Sequence, residues 1–300
     1  MFIEEINGNL LVHNDNNDLL VGDYHRYCVN VIREVLNCNK FNVNIIFGDI
    51  NYTPTNGNKT LRTDIQIEHT LVKPGGRDAG LSVQGKVRSI DNDCDYLARL
   101  VNPGYYNNLD FIIDYSYANL HNLQSCGIIK QIADKTTVIS PLIHDVSFDA
   151  MFNTNRNTGT ITSFTNMSNQ RRAIISSALS CTQRETTNIK CFGKENIEQV
   201  LRDSNFLLNV HQTGEHHTLE ELRVLPALVN GCTVVSEDVP LKEVIPYSKF
   251  IRWSRYDDLV HTTVFARTMC TQERKELLQT LHDIKRKNHD NIQQIITRLI

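Results

Sequence analysis

Short β-rich runs alternate with helical stretches along almost the whole chain, and this rhythm limits the fold more than any other feature. Strands separated by helices imply βαβ units and parallel sheets, hence an α/β architecture. Leu10–His13 reads as a first strand, followed by a polar stretch from Asn14 to Asp23. Tyr24, Cys28, Val31, Ile32, Val35 and Leu36 then fall at helical spacing. Strands are expected over Asn42–Phe47, Asp64–His69, Leu109–Asp114 and Thr136–Ser140, and helices over Cys94–Leu100 and Ala118–Cys126. Gly75, Gly76, Gly80 and Gly85, set around Lys73, Arg77 and Asp78, make Val72–Gly85 a loop at a strand end.

Met151–Gly159 is rich in Asn and Thr without periodicity, and reads as an interdomain linker. A second cycle follows, with strands at Thr160–Phe164, Asn188–Phe192, Phe206–His211, Thr233–Ser236 and Phe250–Trp253. Its helices are expected at Gln170–Ser180, Glu195–Asp203 and Thr218–Asn230. Thr271–Leu299 is a long amphipathic helix, with Leu277, Leu281, Ile284, Ile292, Ile295 and Leu299 near one stripe. The expectation is two Rossmann-like domains facing across a cleft, 1–155 and 156–270, with helix 271–300 reaching back toward the first.

Composition narrows the class. The chain has 300 residues, 40% hydrophobic and 22% charged, with a net charge of -3, which excludes global disorder. No apolar run approaches the roughly 18–20 residues that span a bilayer. Met1–Ile6 carries acid where a signal peptide needs base, so a cytoplasmic chain is expected. Interspersed charges leave no nucleic-acid footprint. The eight cysteines form no Cys-x-x-Cys pair and read as reduced structural thiols, not a zinc site.

The informative segment runs from Asn205 to Glu237. A buried strand ends at His211, a Gly-containing loop follows, and Thr218 with Glu221 three residues later matches a capping box. Asn230-Gly231 is a helix stop, and Glu237 emerges where the next strand ends. Ligands of open α/β sheets bind beyond the carboxyl ends of strands, and helix N-termini favour anions. His211, Glu220, Arg223 and Glu237 thus gather at one strand-end level, where a diphosphate fits.

This segment resembles the donor-binding half of GT-B glycosyltransferases, in particular a compact branch with the pattern N-x-H…L-E-x-x-R…L-x-x-G…V-x-S-E. The matching residues are Asn209, His211, Leu219, Glu220, Arg223, Leu228, Gly231, Val234, Ser236 and Glu237. Asn166 to Arg171 and Arg172 resemble the turn after the first strand of that domain, and Leu109–Leu120 the end of the acceptor-side domain. The resemblance is specific over about 160–240 and loose elsewhere. It implies the GT-B fold and sugar transfer from a nucleotide-sugar to a glycan or other hydroxyl acceptor. The implied donor-binding residues are Asn166, Arg171, Arg172, His211, Thr218, Leu219, Glu220, Arg223 and Glu237. Asn fills about a tenth of the chain, a bias that suggests an AT-rich genome such as that of a chlorovirus-like large DNA virus. One departure stands out: retaining members commonly carry Glu-x7-Glu, and the two places counted back from Gly231 hold Thr218 and Pro226.

Metal is not expected, because arginines and helix N–H groups can stabilise a departing diphosphate. Asp91-Asn-Asp93 is the nearest approach to Asp-x-Asp, but it reads as a helix cap, and His216-His217 lack a partner at metal spacing. Arg171 and Arg172 are adjacent on a helix, about 100° apart, so one of them is expected to be a surface charge. Inversion would need a general base from the first domain. Asp78 leads, then Glu68 and His69, then Asp114. A nucleotide-sugar 2-epimerase of the same plan and a non-catalytic nucleotide-binding module are the alternative readings. A dehydrogenase is disfavoured, since no Gly-x-Gly-x-x-Gly follows the first strand.

Overall fold

In the computed structural model the described residues are 1–15, 19–75, 82–87, 96–153, 155–163, 169–182, 186–188, 194–214 and 217–300. They divide into two compact units. The first holds Met1–Pro74, 82–140 and Lys285–Ile300, and the second Pro141–Ile284.

The first unit opens with a hairpin that the sequence reading missed. Strands β1 (Phe2–Ile6) and β2 (Asn9–His13) pair antiparallel, with Ile6 opposite Asn9. Asn7 and Gly8 form the two-residue turn with φ of 51° and 80°, as a type I′ turn requires. The Asn-Gly pair was the available signal. Helix α1 (Leu19–Cys38) starts five residues before the expected Tyr24 and leads to β3 (Val43–Phe47) and β4 (Lys59–Gln66). Glu68 and His69 therefore lie just past that strand, not within it.

Next comes a small antiparallel sheet of β5 (Leu71–Val72), β6 (Val83–Val87) and β7 (Tyr96–Arg99), in the order β5-β7-β6. This corrects two expectations. Tyr96–Arg99 is a strand, not part of a helix, and its burial alternates as a half-buried strand does. Gly85 lies within β6, at a register shift, where an added Cβ would come 2.9 Å from the Ile128 side chain. Helix α2 (Pro103–Asn107), β8 (Phe111–Asp114), α3 (Tyr117–Ser125), α4 (Lys130–Ala133) and β9 (Thr136–Val138) complete this stretch.

The large sheet runs β1-β2-β3-β4-β8-β9, and every neighbouring pair after the hairpin is parallel. Its parallel strands follow chain order without reversal. The β3–β4 connection, residues 48–58, contains no helix.

The second unit begins with α5 (Phe148–Met151), β10 (Asn157–Ser163) and α6 (Gln170–Ser180). Then follow β11 (Thr186–Asn188), α7 (Lys194–Asp203), β12 (Ser204–Asn209), α8 (Glu221–Val229), β13 (Thr233–Glu237), β14 (Ile251–Ser254) and α9 (Leu259–Phe265). The stretch around Met151 is held in this unit by Arg156, whose guanidinium donates to the carbonyls of Ala150, Asn153, Leu201 and Ser204 at 2.7–3.3 Å. The sheet is wholly parallel, in the order β11-β10-β12-β13-β14. Chain order reverses between β10 and β12, so a switch point lies at their carboxyl ends. Ile175 and Leu179 of α6, Phe206 and Leu208 of β12, Val235 of β13 and Leu259 of α9 form a buried core beneath it.

Helix α10 (Thr271–Leu299) supplies Leu277, Leu281 and Ile284 to the second unit and Ile292, Ile295 and Ile296 to the first, all buried. Within the first unit, Asn288 takes the Ser140 N–H at 2.9 Å and donates to the Ser140 carbonyl and the Tyr27 hydroxyl. Asn291 donates to the Val138 carbonyl and the Tyr117 hydroxyl. The end of α10 thus lies against α1, α3 and β9, as helical cover that the β3–β4 connection does not provide. Among the described residues no helix is long and apolar enough to cross a membrane.

Candidate functional site

The site assembles at the switch point of the second sheet. Strand β12 ends at Asn209, and His211 follows two residues further along the chain that leaves it. Asn209 Nδ2 donates to Glu220 Oε2 at 2.8 Å and to Ser236 Oγ at 3.1 Å. His211 Nδ1 meets the same Glu220 oxygen at 2.8 Å. From the end of β13, Glu237 Oε2 accepts the His211 backbone N–H at 3.0 Å, and its other oxygen pairs with Arg171.

The first turn of α6 completes the cluster. Asn169 caps that helix by accepting the Arg172 N–H at 3.1 Å, and its Nδ2 donates to the Gln212 carbonyl at 2.5 Å. One side chain therefore ties the helix start to the chain leaving β12. Arg172 is buried, with Nε on the Val210 carbonyl at 2.9 Å and Nη2 3.8 Å from Glu220. The Arg171 guanidinium carbon lies 3.9 Å from the centre of the Tyr256 ring, and the Tyr256 hydroxyl donates to the Arg171 carbonyl at 3.0 Å. Neither arginine is a free surface charge, which corrects the expectation from helix geometry. The two diverge as adjacent residues must, but each finds a different carboxylate of the same cluster.

The electrostatics follow from burial. Burial and the nearby Arg223 lower the pKa of Arg172 to about 10. Burial pushes the His211 pKa down, but the charge and hydrogen bond of Glu220, with Glu237 behind them, outweigh it, so the net shift is upward. Three guanidinium groups face two carboxylates, a surplus of one positive charge, or two with His211 protonated. Five buried polar atoms here make no hydrogen bond: four that can donate, Arg171 Nε, Arg172 Nη2, His211 Nε2 and Thr218 Oγ1, and one acceptor, Glu220 Oε1, which lies 3.8 Å from Arg172 Nη2.

Thr218 does not cap a helix. Helix α8 starts at Glu221, with Glu220 at the cap position and no side-chain cap bond. The capping box fails because Glu221 is turned inward and buried, where the fully buried Tyr247 donates to it at 2.5 Å. Leu219 is buried as well, so it packs and does not face solvent. Pro226 is buried within α8, and its carbonyl takes the Asn230 N–H at 3.1 Å. Tyr256 and Asn169 were missed in the sequence reading. Asn169 precedes a helical run, and Tyr256 follows a strand end, so position alone could have flagged both.

Asp78, Asn166, His216 and the Asp91/Asp93 pair lie outside the described residues. In the first unit Asp114 is fully buried, with Oδ1 accepting from Ser116 N–H and Asn119 Nδ2 and Oδ2 from Gln66 Nε2, at 2.8–3.0 Å. Glu68 is half exposed and pairs with Arg99 at 3.0 Å, while Arg99 also reaches the His69 carbonyl at 3.4 Å. The six described cysteines are free thiols. Among the described residues no trio of His, Cys, Asp or Glu is placed to hold a metal ion.

No protein-family model matches the chain, and neither does any curated protein. A solved structure titled as the glycotransferase of kitacinnamycin aligns over 93% of this chain and 82% of its own, at 8% identity and a TM-score of 0.39. So loose a superposition establishes neither fold nor activity, and the functional reading rests on the side chains.

Proposed function

We propose that the protein is a glycosyltransferase that holds the diphosphate of a nucleotide-sugar at the β10/β12 switch point and passes the sugar to a hydroxyl acceptor. The observation that carries this reading is the set of unsatisfied buried donors in one positively charged cluster. Buried polar groups are normally hydrogen-bonded, and leaving one unmade costs about 1–3 kcal/mol. A polyanion with several acceptor oxygens is the kind of ligand that such donors suit. Arg171, Arg172, Arg223 and Thr218 contact phosphate in this reading, while Glu220 and Glu237 hold the cations in place. No divalent metal is required, and transfer is expected to survive EDTA. The acceptor-side base is assigned to Asp78 ahead of His69 and Glu68. Asp114 is the weakest candidate, because its carboxylate is already committed to Gln66, Ser116 and Asn119.

Calorimetry against pyrophosphate and UDP-, GDP- and dTDP-glucose tests the reading. Arg172→Ala should weaken pyrophosphate binding by about tenfold or more, the equivalent of ~1.4 kcal/mol. A wild-type protein that binds no member of the panel at millimolar concentration refutes the assignment. NDP release with and without added acceptor glycans separates a transferase from an epimerase or a non-catalytic binder.

A further inference from the structure

Resting on the nucleotide-sugar reading, we propose that Glu220 and His211 form a carboxylate–imidazole pair that gives a proton from His211 Nε2 to the departing diphosphate. The sequence reading gave both residues only a binding role. Three observations assign them a chemical one.

The first is orientation. Glu220 Oε2 lies 2.8 Å from His211 Nδ1, so Nδ1 carries a hydrogen in either protonation state of the ring, and any second proton belongs on Nε2. Asn209 Nδ2 holds the same carboxylate oxygen from the neighbouring position, at 2.8 Å, which fixes the pair. The second is place. His211 follows β12, at the switch point, with its backbone N–H on Glu237 and Arg171 on that same carboxylate. The third is the lone nitrogen. His211 is 2% exposed, and Nε2 has no hydrogen-bond partner.

The groups facing the ring set its protonation. Glu220, before α8, and Glu237, of β13, favour the charged ring, whereas Arg171, of α6, and burial oppose it. Arg172, near Arg223, lies 3.8 Å from the other oxygen of Glu220. The carboxylates prevail, so the charged ring is favoured more than in an ordinary histidine.

In the step itself the bond from the sugar's anomeric carbon to the phosphate oxygen breaks, and its electron pair stays on that oxygen. The oxygen takes the Nε2 proton. The acceptor oxygen bonds to the anomeric carbon and gives its own proton to the acceptor-side base, which releases it to solvent, while solvent returns one proton to His211. Atoms and charge balance without a further reactant.

The test combines three measurements on the full chain. The first follows the His211 ring by NMR in the absence of ligand. Its pKa should lie above the ordinary histidine value and fall in Glu220→Gln, and an ordinary or lowered value in the wild type overturns the proposal. The second compares pyrophosphate affinity with turnover of whichever sugar nucleotide the calorimetry identifies. His211→Gln should keep affinity within about tenfold yet lose ~10²–10⁴-fold in turnover, the usual size of general acid catalysis. Turnover within twofold of wild type, with pyrophosphate still bound, overturns this proposal and leaves the donor site standing. Failure of the wild type to bind any probe overturns both. The third is the pH profile: wild-type kcat should fall on the alkaline side of the His211 pKa, and Glu220→Gln should move that limb to lower pH. A limb that stays in place in Glu220→Gln rules the pair out, and this holds even where His211→Gln does not fold.

Discussion

Gly231→Ala is the substitution whose cost the structure specifies most closely. Gly231 joins α8 to β13 with φ of +74°, a region that costs an L-residue about 1–2 kcal/mol. An added Cβ would also sit 2.7 Å from each of three atoms: Arg156 Nη2, Arg274 Nη1 and the Met151 carbonyl oxygen. Neither guanidinium can swing away freely. Arg156 Nη2 donates to the Ala150 carbonyl at 2.9 Å and to that of Asn230. Arg274 Nη1 donates to the Met151 and Gly231 carbonyls at 2.6 and 2.8 Å. A hydrogen bond to a charged group contributes about 1.5–3 kcal/mol, so losing one of these in addition to the strain gives ~3–5 kcal/mol. The single tryptophan, Trp253, lies in β14 of this unit, and its fluorescence through a urea titration reports the loss. Gly231→Asn separates the causes, because Asn tolerates positive φ but carries the same Cβ. A loss below about 1 kcal/mol for Ala, or full tolerance of Asn, would refute the crowding argument.

Other outcomes follow from the first unit. Arg33 and His13 hold the Glu4 carboxylate at a pKa of about 2, below the ordinary 4.5. A lowered carboxylate pKa stabilises the fold above the unfolded value and loses that effect as pH falls through the folded one. Glu4→Gln should therefore lower the melting temperature by its full amount above about pH 4.5 and by progressively less toward pH 2, as read by calorimetric scans. Asn288→Ala leaves the buried Ser140 N–H without its partner at 2.9 Å and should cost ~2–4 kcal/mol, seen as faster amide exchange across β9 and α10.

Much of the second sheet was legible because each of its strands is bounded by a clear stop. Gln170–Ser180 and Thr271–Leu299 are helices over the expected residues, and β12, β13 and β14 agree with their expected runs to within two residues at each end. The β1–β2 hairpin was missed although its Asn7-Gly8 turn was in plain view, whereas in two other places a local signal was overridden by a tertiary partner. Thr218-x-x-Glu221 spells a capping box, but burying Glu221 against Tyr247 moves the helix start. Tyr96–Arg99 has no strong strand signature, and pairing with β5 and β6 makes it one. The Arg171-Arg172 pair looked divergent by helix geometry, and it is. What sequence could not supply is that carboxylates from two different elements, Glu220 before α8 and Glu237 of β13, pair with them separately.

The contrast between the two large sheets explains why the candidate site forms where it does. In the first, the parallel strands follow chain order, so each connection leaves on the same side and no crevice opens between diverging connections. In the second, α6 leaves β10 in one direction while the chain leaving β12 departs in the other. Asn169 bridges the two by its bond to the Gln212 carbonyl. At these strand ends Arg171 and Arg172 of α6 meet Glu237 and Glu220. Like charges so close together repel unless they are interleaved with carboxylates, and Glu220 and Glu237 do this from separate elements. Each carboxylate also orients something else: Glu237 takes the His211 backbone N–H, and Glu220 the His211 ring. The acids of this site thus frame its arginines and orient His211, whose Nε2 makes no hydrogen bond.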